Sequence, residues 1–142
     1  MATIKSYTDL EQSKKLAEIL PLETADMVIW GKDLDSIAAT DAQKFMSGLK
    51  DRKMNYLPCW SLATLLNVLP NEIISNNMFE CHYQIDIRKY DGGNNTTLYQ
   101  IAYGNNSGFS GSWHDMISTG EKESLIDCCV QMIIKLSELK KL

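Results

Sequence analysis

Apolar and polar residues alternate along residues 79–88, which is the pattern of a β-strand with one buried and one solvated face. The residues on the apolar side are Phe79, Cys81, Tyr83, Ile85 and Ile87. A turn rich in glycine and asparagine follows at 91–95, and further strands are expected over 97–103 and 112–118. The pattern predicts an antiparallel sheet of three or four strands.

Three segments have the spacing of amphipathic helices. An N-terminal helix is expected over 9–20, where Thr8 and Glu11 would form a capping box. A central helix is expected over 58–69, because a proline suits its first turn and leucines follow at helical spacing. The longest apolar stripe predicts a C-terminal helix over 121–141.

The pattern is weakest between the first two predicted helices. A short β-prone run lies at 27–30, and loosely spaced apolar residues favour a short helix within 36–49. A length of 142 residues favours a single domain. The prediction is therefore one α+β domain over 1–142, in which the central and C-terminal helices cover the antiparallel sheet.

Composition places the chain among globular proteins, because 44% of its residues are apolar and 23% are charged. The net charge is −4 and lysine and arginine form no stripe, so we expect no nucleic-acid partner. The first residues lack the apolar stretch of a secretion signal, and no segment has the composition of a membrane span. We therefore expect a cytoplasmic protein with reduced cysteines and no membrane partner.

The spacing of cysteine, histidine and glycine does not match common metal or nucleotide sites. Cys81 and His82 are neighbours in a strand and face opposite sides, while Cys128 and Cys129 differ by about 100° around a helix. Neither pair has the spacing of a structural zinc site. The glycines within 104–111 do not form a phosphate-binding motif. We expect no metal and no cofactor.

One cysteine has features of a catalytic nucleophile. Cys59 would lie in the first turn of the central helix, where the helix dipole lowers the pKa of a thiol. The pair Cys59-Trp60, followed by a sheet that bears His114, resembles papain-like and NlpC/P60 peptidases. The resemblance implies a cysteine hydrolase that uses Cys59 and His114, with Asp115 beside the histidine. Because the glycine and asparagine signatures of those families are missing, a structural cysteine is favoured and the hydrolase is the alternative.

The segment 104–114 has the composition of a binding loop. It holds no acidic residue, lysine or arginine, and small polar residues surround two aromatic ones. Protein-binding loops use this mixture, with rigid aromatic anchors and adaptable polar neighbours. The predicted binding residues are Phe109, Trp113, Asn105, Asn106 and His114. The alternative is a structural connection from which Trp113 returns to the core.

Three segments carry a resemblance to other proteins: LPLETADM at 20–27, PCWSLATLL at 58–66 and DCCVQMI at 127–133. They resemble small uncharacterised proteins of gut anaerobes and their prophages or mobile elements. The resemblance implies no known activity and favours a small cytoplasmic accessory protein. Because no catalytic pattern is complete, we expect a non-enzymatic protein-interaction or accessory module that is a monomer or a weak dimer.

Overall fold

The protein is an α+β protein with antiparallel sheets, as its sequence predicts. The computed structural model describes residues 5–39, 41–76 and 79–142. Internal contacts divide the chain into two compact units, Met1–Val68 and Leu69–Leu142. The expectation that residues 1–142 behave as one domain stays a prediction.

The first unit combines helices with a small antiparallel sheet. Its described elements are α1 (Leu10–Ile19), β1 (Met27–Trp30), β2 (Ser36–Ala38), α2 (Ala42–Asp51), β3 (Tyr56–Cys59) and α3 (Leu62–Val68). The strand order is β2-β1-β3. A cluster of buried side chains joins β1 to α2, and it consists of Val28, Ala42, Met46 and Leu49. The strand expected at 27–30 is confirmed, and the short helix begins later than expected, after β2.

The first helix and its N-cap both begin one residue later than predicted. Asp9, not Thr8, is the N-cap: its carboxylate accepts from the Gln12 amide at 2.8 Å, and the Gln12 side chain accepts from the Asp9 amide at 3.1 Å. Thr8 is fully buried, and its hydroxyl lies 2.7 Å from that of Ser13. The predicted box of Thr8 and Glu11 is therefore wrong, because Thr8 forms its hydrogen bonds in the interior.

The prediction of a central helix over 58–69 is wrong for the first turn of that helix. Residues Tyr56–Cys59 form β3 and pair antiparallel with β1, so that Cys59 lies opposite Met27 and Pro58 opposite Val28. A strand tolerates proline here because β3 lies at the edge of its sheet. The helix begins only at Leu62, after Ser61, whose hydroxyl accepts from the Thr64 amide at 3.3 Å.

The second unit contains a larger antiparallel sheet and one long helix. Its described elements are β4 (Glu72–Asn76), β5 (Glu80–Gly93), β6 (Thr96–Asn105), β7 (His114–Ser118) and α4 (Leu125–Glu138). The strand order is β4-β5-β6-β7. The predicted antiparallel sheet is thus confirmed, and it has four strands. The sequence pattern does not indicate the position of β4.

The hairpin between β5 and β6 is closed by two asparagines in left-handed conformation. Asn94 has φ 51° and Asn95 has φ 60°, and asparagine tolerates this region better than most residues. The strands pair from the turn to Gln84 opposite Gly104. β6 therefore ends far from this turn, and the loop that precedes β7 begins there.

The C-terminal helix packs on β6 and is shorter than the predicted range of 121–141. Lys122 is not helical, because it exchanges two backbone hydrogen bonds with Tyr99, at 2.7 and 2.9 Å. Side chains of α4 that are fully buried include Ile126, Met132, Ile133 and Leu136. Because α4 lies against β6, the neighbouring β5 is covered only in part. Phe79 and Ile87, which the alternation assigns to the buried side, are exposed.

Candidate functional site

An ion pair connects β5 to β7 across the sheet face that points away from α4. The Arg88 guanidinium donates two hydrogen bonds to the Asp115 carboxylate, at 2.5 and 2.9 Å, and a third to Asp86 at 2.7 Å. Gln100 of the intervening strand accepts a fourth at 3.3 Å. The Arg88 guanidinium holds the pKa of Asp115 below its ordinary value. This bidentate pair fixes the position of Asp115.

Trp113 is held against the same face. Its indole N–H donates to the Asp115 carboxylate at 2.7 Å, and the hydrogen bond also lowers the pKa of that carboxyl. The ring lies so close to Gly104 that a Cβ at position 104 would be 2.9 Å from it. Glycine is therefore required where the indole crosses β6. Trp113 remains 38% exposed, so it does not return to the core as the structural alternative proposed.

The loop between β6 and β7 directs Phe109 outwards. Phe109 is 93% exposed, at the start of a short 3-10 turn over Phe109–Gly111. The Gly108 amide donates to the Ser112 carbonyl at 2.9 Å and closes the base of the turn. The expected exposure of Phe109 is confirmed, and its role in binding stays a prediction.

The other predicted binding residues have separate positions around this loop. The Asn105 side chain donates to the His82 carbonyl at 3.1 Å and accepts from the Ser107 amide at 3.2 Å, so it ties the loop to β5. Asn106 and His114 are exposed. Asn105 therefore supports the loop, while Asn106 and His114 are accessible beside it.

Phe79 joins the candidate surface although the sequence assigns it to a buried strand face. It precedes β5 and is 77% exposed. In an antiparallel sheet, the β4–β5 and β6–β7 connections leave the same end. Phe79, Phe109 and Trp113 therefore lie at one end of the sheet, which we call the aromatic end. The alternation along 79–88 gave no sign of this position, which follows from the start of β5 one residue later, at Glu80.

The cysteine that suggested a hydrolase lies in a different environment from the one expected. Cys59 belongs to β3 and is fully buried. Burial raises the pKa of its thiol, although a hydrogen bond with Thr8 opposes this effect. The thiol donates to the Thr8 carbonyl at 3.4 Å. We expected Cys59 to lie at a helix N-terminus that lowers the pKa of its thiol. This expectation is wrong, because the segment that contains Cys59 pairs with β1 and forms a strand.

The predicted partners of that cysteine are also arranged differently. His114 and Asp115 are consecutive residues of β7 and point to opposite faces of the sheet. The Asp115 carboxylate is engaged by Arg88 and Trp113. Asp115 therefore does not orient His114, as the carboxylate of a cysteine hydrolase would be expected to do.

The first unit contains a separate concave feature. A groove of about 420 Å³ runs along α2 and is lined by Trp30, Phe45, Gly48, Leu49, Met54 and polar side chains at its rim. The Trp30 and Phe45 rings meet edge to face with centroids 5.6 Å apart. Nothing in the sequence pattern indicated this groove, because Trp30 and α2 are brought together by tertiary packing.

Within residues 5–39, 41–76 and 79–142, no three His, Cys, Asp or Glu side chains are grouped to hold a metal ion. Over the same residues, no helix is both long and apolar enough to cross a membrane. No protein-family model, curated protein or solved structure matches this chain.

Proposed function

We propose that the protein is a non-enzymatic protein-interaction module and that its aromatic end binds a partner protein. The observation that carries the proposal is the 93% exposure of Phe109 on a loop whose base is fixed. Burying a phenylalanine side chain contributes about 1.5–3 kcal/mol relative to leaving it in water. The folded chain leaves this contribution unused, and a partner with an apolar pocket would gain it.

The base of the loop is rigid, which favours binding. Trp113 is fixed by Gly104 and Asp115, and Asp115 is fixed by Arg88. A loop held in this way loses less conformational entropy when a partner binds than a mobile one does. The aromatic end therefore has the properties of a preorganised binding surface.

The charges near the loop indicate the chemistry of the partner. No lysine or arginine lies between Lys89 and Lys122 in the sequence. The loop itself therefore supplies no cation for the phosphate groups of nucleic acids or anionic lipids, and the nearby Arg88 guanidinium is engaged by Asp86 and Asp115. Small hydroxyl and amide side chains surround Phe109, so the proposed partner surface is an apolar pocket with an uncharged hydrogen-bonding rim.

The test compares three alanine variants in a crosslinking capture experiment with quantitative mass spectrometry. Phe109→Ala should leave the melting temperature unchanged and abolish capture of a specific partner, and Phe79→Ala should weaken capture. Tyr90→Ala is the matched control, because Tyr90 is an exposed aromatic residue beside the β5–β6 turn, at the opposite end of the sheet. Equal capture by Phe109→Ala and the wild type would refute the proposal, as would early unfolding of Phe109→Ala.

The location, the type of partner and the oligomeric state expected from the sequence also belong to this proposal. We expect a cytoplasmic accessory protein with a protein partner, in line with the resemblance to small proteins of mobile elements. That a central helix covers the antiparallel sheet stays a prediction from the sequence. Sedimentation at several protein concentrations should show a monomer or a weak dimer, and a concentration-independent tetramer would contradict it.

A further inference from the structure

One face of α2 lines the whole length of the groove in the first unit. The residues of α2 and its caps that line it are Asp41, Lys44, Phe45, Gly48, Leu49 and Arg52. Their spacing of three and four residues places them on a single stripe of the helix. The groove is therefore a feature of one helical face and not a gap between loops.

Two residues of this stripe are unfavourable for the helix itself. Gly48 lies in the helix interior, where glycine is a poor helix former, and a Cβ there would have nothing within 4 Å. No neighbouring atom explains the glycine; a side chain at this position would project into the groove. Lys44 is in the first turn, where a positive charge opposes the helix dipole. Local choices that work against an element are typical of functional positions.

The walls of the groove are apolar and well defined. Leu49 is 4% exposed and belongs to the core, and Trp30 and Phe45 support each other edge to face. Met54 reaches the groove because α2 ends in a Schellman motif, in which the Met54 amide donates to the Leu49 carbonyl at 2.9 Å. An apolar ligand would find a preformed surface here.

The charged groups at the rim are distributed unevenly. Lys44 and Arg52 stand at opposite ends of the stripe, about 12 Å apart along the helix. Asp41, the N-cap residue, lies one turn before Lys44 and balances its charge. No acidic side chain lines the groove at the Arg52 end, and neither cation has an ion pair within the described residues. Arg52 therefore carries the unbalanced positive charge of an otherwise apolar groove, and its full charge exceeds the partial negative charge of the helix C-terminus that it caps.

We propose that this groove binds a small amphipathic monocarboxylate, with its apolar body against Trp30, Phe45 and Met54 and its carboxylate on Arg52. A guanidinium binds a carboxylate through two parallel hydrogen bonds, which a single ammonium does not provide. The volume of about 420 Å³ lies within the range of about 300–1,000 Å³ that is typical of small-molecule sites. A medium-chain fatty acid or an aryl carboxylate suits a site at the lower end of this range.

This ligand site is independent of the proposed protein-binding function. The groove belongs to the first unit and the aromatic end to the second. Variants of the groove therefore test the ligand without testing Phe109, and failure of either proposal leaves the other in place.

The test titrates the isotope-labelled full chain with decanoate below its micellar concentration and follows N–H signals by NMR. Decanoate should shift the Trp30 indole and Gly48 amide signals and leave the Trp113 indole signal unchanged. Decylamine, which has a similar apolar body and the opposite charge, should not bind. Gly48→Leu should weaken binding at least tenfold by filling the groove, while the smaller Gly48→Ala should preserve it within about twofold.

A pair of charge variants separates a specific carboxylate site from general attraction. Arg52→Gln and Lys53→Gln each remove one positive charge, and only Arg52 lines the groove. Arg52→Gln should weaken decanoate binding about tenfold and Lys53→Gln should not. Equal effects of the two variants, equal binding of decylamine, or no shift at Trp30 and Gly48 would overturn the proposal. If Gly48→Leu does not fold, the Arg52 and Lys53 pair still decides the result.

Discussion

Trp113 lies across Gly104 so closely that position 104 has no room for any side chain. A Cβ there would be 2.9 Å from the indole and would also collide with the His114 carbonyl. Gly104 belongs to β6 and Trp113 directly precedes β7, and the loop of Phe109 connects these two strands. Their contact therefore determines how the indole and the loop base are placed.

We predict that Gly104→Ala destabilises the second unit by about 1–3 kcal/mol, because the added methyl group overpacks a tight contact. Denaturant titration followed by tryptophan fluorescence measures the change. Gly120→Ala is the matched control, since a Cβ at Gly120 has nothing within 4 Å. Equal stability of Gly104→Ala and the wild type would mean that the indole does not rest on Gly104 in solution.

Acid should destabilise the second unit through Asp115. Arg88 lowers the pKa of this carboxyl in the folded state, so the unfolded chain takes up its proton at a higher pH. The contribution to stability is therefore complete above the unfolded pKa near 4 and is lost as pH falls below it through the lower folded pKa.

Asp115→Asn should accordingly reduce the loss of stability over this pH range, as measured by melting temperature against pH. Glu123→Gln serves as the control, because Glu123 is exposed and has no ion pair within the described residues. If both variants keep the pH slope of the wild type, the Arg88–Asp115 pair does not contribute to acid sensitivity.

The four cysteines should differ in reactivity according to burial. Burial raises the pKa of Cys59 and Cys128, and it raises the pKa of Cys129 to about 12, whereas Cys81 is partly exposed. Iodoacetamide should therefore modify Cys81 first in the native protein, and the other three thiols only after unfolding. Peptide mass spectrometry distinguishes the sites. Rapid alkylation of Cys59 would instead revive the hydrolase alternative.

Two glycine substitutions near the end of α2 should change the stability of the first unit in opposite directions. Lys53 adopts φ 55°, a left-handed conformation that glycine adopts without strain. Lys53→Gly should therefore stabilise the first unit by about 0.5–1 kcal/mol. Lys50→Gly, three residues earlier and inside the helix, should destabilise it by about 1 kcal/mol. Thermal melting compares the two, and a loss of stability in both would contradict the left-handed cap.

Local patterns predicted the elements whose stability depends on neighbours in sequence. The apolar stripe of α4, the alternation at the start of β5 and the asparagine turn at 94–95 all act within a few residues. The exposure of Phe109 followed in the same way, since its neighbours are too small and too polar to bury it. The class of α+β protein with antiparallel strands was therefore readable from the chain alone.

Only tertiary structure decided the features that depend on distant residues. Pro58 and Cys59 have a helix-like sequence, yet β1, about thirty residues earlier, pairs with them and makes a strand that buries the thiol. Arg88 meets Asp115 across an intervening strand, and Trp30 meets Phe45 beside the groove. The free energy of these contacts comes from pairings that local sequence does not encode, and it outweighs the local preferences, which are weak by comparison.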